Sequence, residues 1–248
     1  GGMPHTLNIQ TAKEKEAYLK GLFNQVYLSD IINRYKLRGQ DEIEALTNIL
    51  SSSIGALTNP KRICDTFTSE RKLKVSQPTI SKYLTYLEDS FLVSKAMRYD
   101  VKGRKYIGTP MKYYFVDVGL RNARLNFRQQ EETHLMENVI YNELMRRGFS
   151  VDVGVVEISK VNANASVIRK QLEVDFVANM GSHRYYIQSA FELSTPEKLF
   201  QEKNSLTHIE DSFKKIIIQR NPVEPWHDED GILRIGLMDF MLNPDSID

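Results

Sequence analysis

The chain has 248 residues, 41% of them apolar and 26% charged, with a formal net charge of +1. That lies in the normal range for globular proteins, so a substantial core can be buried, in one large domain or two of ordinary size. Cys64 is the single cysteine, which rules out an internal disulfide framework and a cysteine-based zinc site, and a reducing cytoplasmic setting is expected. No apolar run approaches the roughly 20 residues of a membrane span, and no basic segment followed by an apolar stretch marks a signal peptide.

Residues 11–37 are expected to form a helix with Tyr18, Leu22, Val26, Ile31, Ile32 and Tyr35 along one apolar stripe. Asp41–Ser53 repeats the helical spacing through Ile43, Leu46, Ile49 and Leu50. Asn59-Pro60 opens a third helix with a cap followed by a first-turn proline, and Ser76-Gln77-Pro78 opens a fourth running to about Asp89. Two strand-like runs follow, Phe91–Arg98 and Lys112–Val116, joined by the basic turn Lys102-Gly103-Arg104-Lys105. Three helices and a basic hairpin predict a winged helix.

Local charge supports that expectation. Between Pro60 and Lys112 twelve basic residues stand against five acidic ones, an excess suited to a polyanion. The helix starting at Ser76 offers Ser76, Gln77, Thr79, Ser81 and Lys82. Of these, Gln77 suits an adenine edge, while Ser76, Ser81 and Lys82 suit phosphates. Lys102, Arg104 and Lys105 would reach the backbone or the minor groove. In the competing reading these lysines only solvate a surface and the module binds protein.

The second half alternates helix and strand. Thr133–Arg147 reads as a helix stopped by Gly148, followed by strand candidates at Val151–Glu157, Gln171–Ala178 and Arg184–Ala190, a helix at Lys198–Phe213, and strands at Lys215–Gln219 and Leu233–Met238. The fold expected overall is α+β in two domains, a winged helix-turn-helix followed by a restriction-endonuclease-like α/β domain. The expected division is a linker helix over 1–38, the winged helix over 39–125 and the α/β domain over 126–248. His5, His134, His183, His208 and His227 read as solvated or structural, and Trp226 as a packed loop anchor.

Nucleases of the restriction type hold Mg2+ with acids on adjacent strands and a glutamate on the preceding helix, and a nearby lysine activates water. Glu137 on the helix and Asp175 on the central strand fit the first places. The next strand carries Gln188-Ser189-Ala190 where an acid, a spacer and a lysine are needed. Gln188 has one neutral oxygen to give a metal, and Ala190 has nothing. Glu192, or a migrated amine from Lys198 or Lys203, would be the available substitutes. Glu137, Asp175 and Gln188 are therefore candidate catalytic residues of a degenerate centre, with Asp175 and Gln188 as metal ligands only in an active one.

The segments Tyr27–Ile32 with Arg34-Tyr35-Lys36, Ser81–Glu88, Lys112–Leu120, Leu135–Asn138 with Tyr141–Leu144, and Glu173–Val177 resemble, in order and spacing, the region that follows the ATPase core in a large group of prokaryotic AAA-type ATPases. The resemblance implies a winged helix, a C-terminal nuclease-like domain of unknown function, and a fused ATPase domain. No Gly-x-x-x-x-Gly-Lys-Ser/Thr loop occurs in these residues, so ATP is expected only on a separate ATPase domain. The expected partners are DNA and that ATPase domain, with no membrane. The expected function is DNA binding and scaffolding, and the alternatives are a Mg-dependent DNA nuclease and a protein-interaction module regulating the ATPase.

Overall fold

The computed structural model describes residues 2–37, 39–71, 74–128, 131–161 and 167–247. It is a mixed α+β chain with an eight-stranded sheet and two compact units. The first holds residues 1–95 and 111–138, the second 96–110 and 139–248. Among the described residues, no helix is long and apolar enough to cross a membrane.

The first unit opens with one continuous helical run. A capping box, in which Thr11 Oγ1 accepts from Glu14 N (3.2 Å) and Glu14 accepts in return from Thr11 N (3.3 Å), starts α1 (Ala12–Gly21). The run passes through a π-helical stretch, Leu22–Leu28, into α2 (Ser29–Tyr35). Of the expected stripe, Ile31 is buried and Tyr18, Leu22, Ile32 and Tyr35 pack against the core, but Val26 is exposed: the stretch shifts the phase of the helix, and Leu19, Phe23 and Leu28 join Ile31 as its buried residues. The partner that the sequence does not reveal is the rest of this unit, whose apolar core these four residues share.

Helices α3 (Gln40–Ser52), α4 (Pro60–Arg71) and α5 (Gln77–Asp89) follow and pack on one another. Asn59 Oδ1 caps α4 through Arg62 N (2.8 Å), and Ser76 Oγ caps α5 through Thr79 N (3.3 Å). Ile43, Leu46 and Leu50 of α3, Ile63 and Phe67 of α4, and Ile80, Leu84 and Leu87 of α5 meet in the core. After the hairpin, α6 (Val118–Arg124), capped by Asp117, closes this unit, and α7 (Glu132–Arg146) begins in it.

Strands β1 (Val93–Asp100) and β2 (Lys105–Phe115) form the expected hairpin, longer than anticipated. Its tip, residues 96–110, belongs to the second unit, because β1 pairs in parallel with β3 (Ser150–Val161) through Arg98↔Val153 and Asp100↔Val155. Next come β4 (Val167–Met180), β5 (His183–Ala190), α8 (Pro196–Thr207), β6 (Lys214–Gln219), β7 (Trp226–His227), β8 (Leu233–Gly236) and α9 (Leu237–Leu242). The sheet order is β2-β1-β3-β4-β5-β6-β8-β7. Trp226, half exposed on the edge strand with the Arg234 guanidinium 5.2 Å from its ring centroid, is less of an anchor than expected.

One irregularity shapes the sheet centre. From Asp152↔Val177 to Gly154↔Val174, β3 advances two residues and β4 three, so β4 carries an extra residue at Asp175-Phe176. The bulge turns Val174 and Val177 toward the same core. Gly154 lies beneath both: a Cβ there would stand 2.8 Å from Val174 Cβ and 2.9 Å from Val177 Cγ2. Gly154→Val should therefore cost about 1–3 kcal/mol by overpacking. Chemical denaturation measures this, and a variant as stable as wild type would show that β4 can shift to make room.

Candidate functional site

The residues expected to read DNA fall into two groups. Ser76, Gln77, Thr79, Ser81 and Lys82 share the first turns of α5 in the first unit, and Lys102, Arg104 and Lys105 share the β1–β2 turn in the second. On α5 the division of labour is clear. Ile80, Tyr83, Leu84 and Leu87 face the core, while Gln77, Ser81, Lys82 and Thr85 are exposed. Ser76 and Thr79 are already engaged with each other, Oγ to Oγ1 at 2.8 Å in the cap, which limits them as phosphate ligands. The Lys82 ammonium lies 5.7 Å from the Tyr86 ring centroid, and Tyr86 stacks on Tyr35 at 3.6 Å and 13°.

The basic excess counted along residues 60–112 is partly spent inside the protein. Lys112 is buried against Glu137, Lys95 pairs with Glu88 (3.2 Å), Lys102 with Glu210 (3.6 Å), and Arg98 donates to Gln171 (2.9 Å). Lys72 and the side chain of Arg71 lie outside the described residues. Arg104 and Lys105 are exposed and make no ion pair or side-chain hydrogen bond among the described residues.

The candidate nuclease residues are also divided: Glu137 belongs to the first unit, Asp175 and Gln188 to the second. Glu137 is 7% exposed and its Oε1 accepts from Lys112 Nζ (2.8 Å) and Tyr114 Oη (2.6 Å). His134 Nδ1 stands 3.9 Å from the other oxygen, beyond hydrogen-bond reach, and adds an electrostatic pull when protonated. Burial alone would push the Glu137 carboxyl up. His134, Lys112 and Tyr114 outweigh it and hold the group below its ordinary value. A conventional pattern search would not single out Lys112 as this partner, because it sits among other lysines 25 residues away.

Asp175 and Gln188 do meet, across β4 and β5. Asp175 Oδ2 accepts from Ser189 N (2.8 Å), and Gln188 Oε1 accepts weakly from Asp175 N and from Ser205 Oγ, both at 3.4 Å. Ala190 is fully buried in the apolar core. Both substitute amines are occupied. Lys198 pairs with Glu192 (2.6 Å), and Lys203, largely buried on α8, is held by Asp228 (3.1 Å) and Asp230. Among the described residues, no group of three or more His, Cys, Asp or Glu side chains could hold a metal ion. One carboxylate with a backbone donor already on it, beside a neutral amide, does not suit Mg2+, which favours carboxylate oxygens.

The model of a family described as a domain of unknown function (DUF8612) matches residues 1–131. The chain belongs to this family. The DUF8612 match stops one residue before α7. An uncharacterized protein of Haemophilus influenzae is 37% identical over 244 residues, covering 98% of this chain and 56% of the relative. Uncharacterized protein MJ1544 of Methanocaldococcus jannaschii is 28% identical over 198 residues, covering 80% of this chain and 42% of the relative. The chain thus spans about half the length of the curated relatives it matches. The solved structure of protein VC1899 from Vibrio cholerae aligns with 93% of this chain and 55% of its own at 11% identity and a TM-score of 0.33, too slight a likeness to bear on function.

Proposed function

We propose that this chain is the DNA-binding and scaffold portion of a prokaryotic AAA-type ATPase, a winged helix followed by a nuclease-like domain that has lost its chemistry. The observation that carries this reading is α5. Its apolar face is anchored on α3 and α4, while Gln77, Ser81 and Lys82 stand exposed on its first turns, as a helix inserted into a major groove requires. Relatives about twice as long as this chain leave room for an ATPase domain. The Asp175–Gln188 pair supports a scaffold over the alternative, a Mg-dependent nuclease, since its donors are committed to the sheet and to each other.

The test is a salt-titrated binding measurement on labelled duplex DNA. Gln77→Ala/Lys82→Ala, both on exposed positions, should weaken binding by about tenfold, and the loss of one phosphate contact should flatten the log–log salt slope by about 0.9. Lys102→Ala/Lys105→Ala should flatten it further. If both double variants bind duplex DNA as wild type does, the reading fails and α5 serves a protein partner or none.

A further inference from the structure

Within the second unit, two adjoining cavities of about 430 and 310 Å³ open at the β4–β5 turn and share Ser182, His183, Arg184 and Phe213. Arg104 and Lys214 complete the charged lining, and no carboxylate lines either cavity. The nearby acids are directed elsewhere. Asp211 accepts from Tyr186 Oη (2.6 Å) and Phe213 N (3.2 Å), Glu210 faces Lys102, and Asp152 takes Tyr106 Oη (3.2 Å). Among the described residues, Lys214 donates to the carbonyl Ile247 O (3.1 Å), and His183 and Arg104 make no ion pair. The lining of these two cavities therefore carries an excess of positive charge, although Asp152 acts on Arg184 and Arg104 also lines a neighbouring cavity with Glu210 and Asp211.

An aromatic surface lies in the same place. Phe213 is 40% exposed. Arg184 donates through Nε to Asn179 Oδ1 (2.7 Å), with its guanidinium 5.1 Å from the Tyr99 centroid and 5.4 Å from that of Phe213. The turn that holds them is a tight hairpin, closed by Met180↔His183, with Gly181 at φ 60°, a conformation glycine adopts without strain. Cations beside an exposed ring suit a ligand with both a phosphate and a flat, unpaired base.

We propose that this groove binds a nucleotide unit, with phosphate against Arg104, His183 and Lys214 and base against Phe213. The chemistry is shared by a free nucleotide and by a nucleotide of a single strand. Bases within a duplex, being stacked already, are excluded. The proposal does not rest on the reading of α5.

The experiment uses the full chain with fluorescein-labelled oligodeoxythymidylate, with dTMP as competitor. Phe213→Ala should weaken binding of the oligonucleotide by about tenfold with the salt slope unchanged, as loss of stacking requires. Arg104→Ala should flatten the slope by about 0.7, the value for one contact on a single strand. Lys13→Ala, at an exposed position of α1 outside both sites, should change neither. Displacement by dTMP would identify a free nucleotide as the occupant, and its failure to displace would identify the strand. The proposal is overturned if wild type binds neither probe, or if Arg104→Ala and Phe213→Ala, folded by circular dichroism, bind as wild type.

Discussion

Glu137→Ala should destabilise the protein by about 3–5 kcal/mol, the range for removing one member of a buried ion pair. The other member is Lys112, whose side chain is almost wholly buried and whose ammonium stands 2.8 Å from Glu137. Tyr114, also buried, would lose its 2.6 Å acceptor at the same time. Glu137→Gln, which keeps an oxygen for Tyr114 but loses the charge, should be less costly. The sign of the pH dependence follows from the carboxyl's depressed pKa. Its contribution is fully present above the ordinary value of 4.5 and is lost as pH falls through the lower folded value. The gap in stability between wild type and Glu137→Ala should therefore narrow below about pH 4.5. Urea denaturation across pH measures both effects. A cost below about 1 kcal/mol at neutral pH would mean that Lys112 swings out to water and the pair is dispensable. The prediction also separates two roles for Glu137, because a metal-binding acid is commonly removed without such a loss.

Lys203→Met should cost about 2 kcal/mol, less than a fully buried pair because Asp230 reaches solvent. Methionine keeps the aliphatic stem, so the change isolates the ammonium. Burial would lower the lysine's pKa, but Asp230 and Asp228 outweigh it and push the group up. Asp228 also accepts from Asp230 N (3.0 Å) and Ile232 N (3.1 Å) through its other oxygen, so Lys203 ties α8 to the turn before β8. Thermal unfolding of Lys203→Met beside Asp230→Asn would check this. If Lys203→Met proves as stable as wild type, the ammonium is free for another task and the migrated-amine idea regains force.

Much of the first unit was legible because its signals are local. Ser76 with Pro78, Asn59 with Pro60, and apolar residues three and four apart mark helix starts and inward faces within a few residues. The meeting of Asp175 with Gln188 was legible too, since consecutive strands joined by a glycine turn pair as neighbours. The stripe through Val26 was not, because a π-helical stretch changes the phase without leaving a mark in composition. Nor was the bulge at Asp175-Phe176, which arises from the register of β3 against β4 and reads in sequence as an unbroken strand.

From residues alone came the α+β composition, the order of helices and strands, the exposed polar turns of α5 and the missing acid and amine on β5, all set by neighbours along the chain. Only the tertiary structure decided that the hairpin tip joins the second unit's sheet, that Lys112 neutralises Glu137, and that Lys203 is held by two aspartates. Each of these is a pairing across many residues. Coulomb attraction and strand hydrogen bonding depend on distance in space, which the spacing of residues along a chain does not specify.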